Sequence, residues 1–93
     1  MLTIKYTRQF KKSLKKMTRQ GKDIDKLFTV VALLQSQQKL PKRYRDHVLQ
    51  GRYQGIIGSR ELHIEPDWLL VYQVIDDNLV LVLVDTGSHS DLF

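Results

Sequence analysis

Ninety-three residues make one domain, and a chain this short buries only about 60 to 65% of its unfolded surface, enough for one modest core. The composition, 42% hydrophobic and 27% charged, is that of an ordinary globular protein, and the lack of cysteine excludes disulfides, thiolate metal sites and cysteine nucleophiles. Fifteen Lys+Arg against ten Asp+Glu leave a formal charge of +5, which favours an anionic partner, either nucleic acid or an acidic protein. No apolar run reaches the roughly 18 residues of a membrane span, and the N-terminus lacks the apolar run of a signal peptide. A cytoplasmic protein with no membrane partner is expected.

Residues 2–6 alternate apolar and polar and read as a short strand. Thr7 is placed to cap a helix whose buried stripe is Phe10, Leu14 and Met17. The other face of that helix carries Arg8, Lys11, Lys12, Lys15, Lys16 and Arg19, and no acidic residue lies between positions 1 and 22. A face of one sign suits phosphates or an acidic partner better than a mixed one. Gly21 breaks the chain, and Asp23 opens a second helix to about Gln37, with Ile24, Leu27, Phe28, Val31 and Leu34 as its stripe. The short link predicts an antiparallel helical hairpin.

Residues 40–47 have no regular period and read as a basic loop closing on Asp46-His47. Residues 56–59 fit a loop or a bulged strand start. From Arg60 to Ile64, Leu62 and Ile64 share one face, with Glu61, His63 and Glu65 on the other, and Pro66 interrupts the strand. Residues 68–75 and 79–84 are strands apolar on both faces, joined by a hairpin at Asp76-Asp77-Asn78. Two helices cover only one face of such a sheet, so the other is expected to be a partly apolar, concave binding surface. The tail from Thr86 is expected to leave the sheet. The order is β-α-α-β-β-β in an α+β fold: an N-terminal strand, a two-helix antiparallel hairpin and a three-stranded antiparallel meander.

All three histidines, His47, His63 and His89, fall outside the apolar stripes and beside polar or acidic neighbours. Imidazole serves as acid or base near neutral pH. On RNA, the fitting chemistry is attack of a ribose 2′-hydroxyl on the neighbouring phosphate, which needs a base, an acid and a cation but no metal. His63, Glu65 and Asp67 form no compact ligand motif, so no metal site is assigned. The serines lie in no nucleophile-elbow context. Trp68 and Tyr72 suit core packing, whereas Phe93 at the chain end is placed to stack a base or to fix the tail.

Three blocks, Asp46-His47-x-Leu49-x-Gly51, His63-Ile64-Glu65-Pro66-Asp67-Trp68-Leu69-Leu70-Val71-Tyr72 and Gly87-Ser88-His89-Ser90-Asp91-Leu92-Phe93, resemble the signature blocks of the YafQ-type toxins of the RelE/ParE superfamily. The resemblance spans most of the chain. It implies a RelE-like fold and a toxin of a type II toxin–antitoxin pair, an endoribonuclease that cuts mRNA in the ribosomal A site and is held inactive by a cognate antitoxin. By motif it implies His47, His63, Asp67 and His89 as catalytic, with Trp68 and Phe93 as supporting or base-stacking positions. Asp67 or His63 is then expected near the 2′-hydroxyl, His89 as acid, and Arg60 or Arg52 on the phosphate. The stretch from Gly51 to His63 is about three residues longer than in the family. A gyrase-binding toxin of the ParE kind is the alternative on the same fold, and a basic RNA-binding module that does not cleave is a third reading.

Overall fold

The structure, a computed structural model, describes residues 1–53, 56–75 and 79–93, without the side chains of residues 52, 53, 56 and 57. Strand β1 (Thr3–Tyr6) leads into helix α1 (Arg8–Arg19) and helix α2 (Ile24–Gln35). A 3-10 turn (Lys42–Tyr44) follows, then β2 (His47–Val48), β3 (Arg52–Tyr53), β4 (Ile56–Ile57), β5 (Arg60–Glu65), β6 (Trp68–Ile75), β7 (Val80–Gly87) and the short helix α3 (His89–Leu92). The main sheet has the order β1-β7-β6-β5-β2, and β3 and β4 pair separately. β5, β6 and β7 are the antiparallel meander, and β1 joins its edge parallel to β7. The α+β class and the expected strand, helical pair and antiparallel meander are those of the structure, which adds the short β2, β3 and β4 before the meander and α3 after it.

Both helices begin as their caps dictate. Thr7 accepts from the Phe10 N–H at 2.9 Å while its hydroxyl donates to the Val84 carbonyl, so one side chain starts α1 and ties it to β7. The Asp23 carboxylate accepts from the Asp25 N–H. α2 stops at Gln35, short of Gln37, where the backbone turns to φ 57°. The core lies between the helices and one face of the sheet, built on Phe10, Met17, Leu27, Leu62, Trp68, Leu70, Leu81 and Leu83. Burying each such side chain stabilises the fold by roughly 1.5–3 kcal/mol.

The opposite face departs from the expected open, concave surface. Val71 and Val84 there are fully buried beneath Leu49, Val82 and Leu92. Leu49 comes from the stretch after β2 and Leu92 from α3, so two segments with little apolar periodicity supply the second cover.

β7 also runs three residues beyond the expected Val84, to Gly87. Its polar residues stay in the sheet because they are paired. The Thr86 hydroxyl accepts from Trp68 Nε1 at 2.9 Å and donates to the Leu69 carbonyl, and Asp85 accepts from Ser13 and from the Thr86 N–H. The expected hairpin at residues 76–78 lies outside the described residues.

Candidate functional site

The site forms on the sheet face away from α1 and α2. Glu61 and His63 are alternate residues of β5 and share that face. β2 pairs with β5 so that His47 lies opposite Glu61, a strand contact hidden in what reads as a loop. The register shifts between His63 and Glu65, which lets Glu65 leave this face, contrary to the strict alternation expected. Glu65 reaches Lys26 at 2.9 Å and Lys22 at 3.5 Å, and the hydrogen bond from Lys26 holds its carboxyl below the usual range.

Pro66 and Asp67 then make the turn between β5 and β6, with proline suited to fix its first corner residue. The turn projects Asp67 toward α3. The Asp67 carboxylate accepts the His89 backbone N–H at 3.0 Å and faces His89 Nδ1 at 2.7 Å, and those two bonds depress its pKa. The ring of His89 in turn lies 5.6 Å, centre to centre, from that of His63.

All three imidazoles share one arrangement. Nδ1 of His47 faces the Arg45 carbonyl at 2.8 Å, Nδ1 of His63 the Pro66 carbonyl at 3.3 Å, and Nδ1 of His89 the Asp67 carboxylate. An acceptor at Nδ1 fixes the proton there and leaves Nε2 for chemistry. Nε2 of His47 and of His63 point to one carboxylate oxygen of Glu61, at 3.6 and 3.8 Å. Glu61 is only 5% exposed. One ligand-capable atom each from Glu61, His63 and His89 lie within 4.8 Å of one another.

Glu61 is therefore the residue that sequence reasoning left out, although its place on the His63 face was visible. A second is Arg45, which caps the 3-10 turn at φ 50° and lines a cavity of about 300 Å³ with His63.

The remaining expected residues lie elsewhere. Trp68, expected among substrate contacts, is completely buried with its ring N–H committed to Thr86, so it has no face to offer a base. Arg60, expected on the phosphate, is drawn away by Asp46: its guanidinium lies 2.9 Å from that carboxylate, which also accepts from the Tyr72 hydroxyl. This group borders a separate cavity of about 610 Å³ with Leu40, Pro41 and Val74. Burial, then the bond to Asp46, pushes the Tyr72 phenol up. Phe93 is 64% exposed at the end of α3. The side chain of Arg52 lies outside the described residues, and the expected lengthening between Gly51 and His63 includes the small β3–β4 pair.

Comparison with known proteins agrees with this fold. Residues 2–93 match the family described as bacterial toxin of type II toxin-antitoxin system, YafQ. The mRNA interferase toxin YafQ of Escherichia coli K12 is 37% identical over 91 residues, covering 97% of this chain and 94% of the relative. The crystal structure of a metal-bound toxin from Helicobacter pylori superimposes with a TM-score of 0.91 at 43% identity, covering all of both chains. YafQ in the E. coli DinJ-YafQ complex gives 0.86 at 37% identity, over 100% of this chain and 99% of that one. The chain belongs to the YafQ family of bacterial type II toxin–antitoxin toxins.

Proposed function

We propose that this toxin is an mRNA endonuclease whose histidine cluster cleaves RNA through the ribose 2′-hydroxyl. The observation that carries the reading is the convergence of three imidazoles, each fixed at Nδ1, around the buried Glu61 carboxylate. In the reaction His63, backed by Glu61, takes the 2′ proton. The 2′-oxygen bonds to phosphorus, the bond from phosphorus to the 5′-oxygen breaks, and His89, entering with a proton on both ring nitrogens, gives that oxygen its Nε2 proton while Nδ1–H stays hydrogen-bonded to Asp67. The products are a 2′,3′-cyclic phosphate and a 5′-hydroxyl. Asp67 orients His89, and His47, when Nε2 is protonated as well as Nδ1, pairs with Glu61 from the other side. Arg43 and Arg45 both line the cavity beside His63; Arg43 is engaged with the Tyr44 ring and hydroxyl, so Arg45 is assigned to the phosphate. Each proton-transfer group is worth about 10²- to 10⁴-fold in rate.

The E. coli relative is named an mRNA interferase, which supports the substrate class. The exposed Arg8, Lys11, Lys12, Lys15 and Arg19 of α1 give the cationic surface that docking on the ribosome requires. The substrate is then mRNA in the A site, in the cytoplasm, and no helix of the described residues is long and apolar enough to cross a membrane. A cognate antitoxin, the counterpart of DinJ in the E. coli complex, neutralises the toxin. Phe93, exposed at the end of α3, is assigned to stacking a base.

The same donors suit a borderline divalent cation, since Glu61, His63 and His89 offer one carboxylate and two imidazoles, and the H. pylori relative is metal-bound. Such an ion would supply Lewis acidity at the cluster. It would also occupy the imidazole nitrogens needed for proton transfer, so added Zn²⁺ should suppress cleavage and a chelator should restore it.

The test is expression without antitoxin, with mapping of the 5′ ends of cellular mRNA. Growth arrest with 5′-hydroxyl ends is expected for the wild type, and neither for a folded His89→Ala variant. Arrest that persists in His89→Ala, with loss of DNA supercoiling, would favour the gyrase-binding alternative.

A further inference from the structure

The last seven residues form a docked turn, and its chemistry is more specific than the presence of one histidine explains. Ser88 caps α3 by accepting the Asp91 N–H, and Asp91 returns the contact by accepting the Ser88 N–H, both at 3.1 Å. The other oxygen of the same carboxylate meets Lys16 of α1 at 2.8 Å. A Cβ on Gly87 would stand 2.9 Å from the Asp91 Cβ, closer than side chains pack, so only glycine lets Asp91 fold back over the strand end. Leu92 seats the turn on Val71 and Val84. The Lys16 bond, then the Ser88 N–H, keeps the Asp91 carboxyl ionised below the usual range.

Resting on the proposed RNA cleavage, we infer that Asp91 is a positioning residue for His89, acting with Lys16 as a latch that fixes the angle at which the imidazole enters the site. His89 is held by two carboxylates that accept successive N–H groups: Asp91 takes that of Ser88 and Asp67 that of His89. The Asp67 contact selects the ring nitrogen that carries the proton. The Asp91 contact sets where the backbone carrying the ring begins to turn. A four-residue helix is too short to hold itself in water. Without the latch the turn frays, and the distance from His89 to the Glu61–His63 pair becomes variable. Lys16 belongs to the basic face of α1, so the latch also joins the cationic surface to the proton donor.

The experiment compares Asp91→Ala, Lys16→Gln and Lys16→Arg with the wild type, by cleavage kinetics on mRNA-programmed ribosomes and by imidazole NMR of the free proteins. Asp91→Ala is expected to lower kcat about 10- to 100-fold with KM little changed, the scale of a misplacement of about 1 Å. Lys16→Gln should fall in the same direction and Lys16→Arg should keep activity. In the spectra His89 should move from one tautomer toward an averaged signal in the first two variants, while His47 and His63 stay unchanged. Unaltered kcat and an unaltered His89 signal in Asp91→Ala would overturn the inference, as would a loss confined to KM or shared by all three imidazoles. The NMR readout needs no RNA, so a wild type with the expected imidazole response but no cleavage would sink the nuclease reading and leave the latch standing.

Discussion

Nδ1 of His89 lies 2.7 Å from a carboxylate oxygen of Asp67, and that same oxygen accepts the His89 backbone N–H. One carboxylate thus fixes both the ring and the peptide that bears it. Asp67→Asn should reduce cleavage by about 10- to 100-fold, the usual scale for losing a partner that orients a functional histidine. Because Asp67 is exposed, its melting temperature should stay close to that of the wild type. Single-turnover kinetics beside a thermal melt check both halves, and full activity in Asp67→Asn would remove the orienting role.

Trp68 behaves differently. Its side chain is wholly buried against the helices, and its truncation leaves a cavity and an unpaired Thr86 hydroxyl contact. Trp68→Ala should cost about 3–5 kcal/mol of stability. Denaturant titration should show this loss in the absence of RNA. A variant as stable as the wild type but inactive would return Trp68 to the substrate contacts.

Asp46 accepts from Tyr72 at 2.5 Å and from Arg60, and it precedes His47 directly. Tyr72→Phe should lower stability by about 1 kcal/mol, the typical net value of one hydrogen bond. The raised Tyr72 pKa carries a further consequence: the neutral phenol adds stability at all pH values below the ordinary tyrosine range, and that stability is lost as pH rises toward the folded value. Ultraviolet titration should show one tyrosine that ionises only with alkaline unfolding. A full complement ionising before unfolding would contradict the burial of this group.

The depressed carboxyls set the opposite limit. Glu65 beside Lys26, and Asp91 beside Lys16, have folded pKa values below their ordinary ones. Their contribution is therefore complete above the ordinary carboxylate range and fades as pH falls through the folded values. Melting temperatures measured from pH 7 down to pH 2 should fall through that window, and Glu65→Gln should flatten the fall. An equal acid slope in Glu65→Gln would show that the Lys22 and Lys26 pairs contribute nothing.

Much of this arrangement was visible in the chain itself. The stripes of α1 and α2, the caps at Thr7 and Asp23, and the strands from Arg60 onward follow from local periodicity, and the histidines stood out because no stripe included them. What stayed hidden depended on contacts distant in sequence. β2 is two residues long and exists only because β5 pairs with it. The bulge after His63 sends Glu65 to Lys26 of α2 and to Lys22 just before that helix, and no periodicity announces it. Glu61 sits on the His63 face in the sequence, but its burial depends on long-range contacts such as the pairing of β2 with β5. Arg60 looked available for phosphate because the reach of Asp46, fourteen positions earlier, cannot be read from a linear pattern.

The central claim is that the imidazole cluster cleaves RNA by internal attack, and one substrate tests it directly. A ribosome-bound mRNA with a single 2′-deoxy nucleotide on the 5′ side of the scissile phosphate lacks the attacking oxygen but retains every other contact. The account predicts that the toxin leaves this position uncut while cutting the all-ribose control to a 2′,3′-cyclic phosphate and a 5′-hydroxyl. Cleavage of the deoxy substrate at the same position and a comparable rate would contradict it.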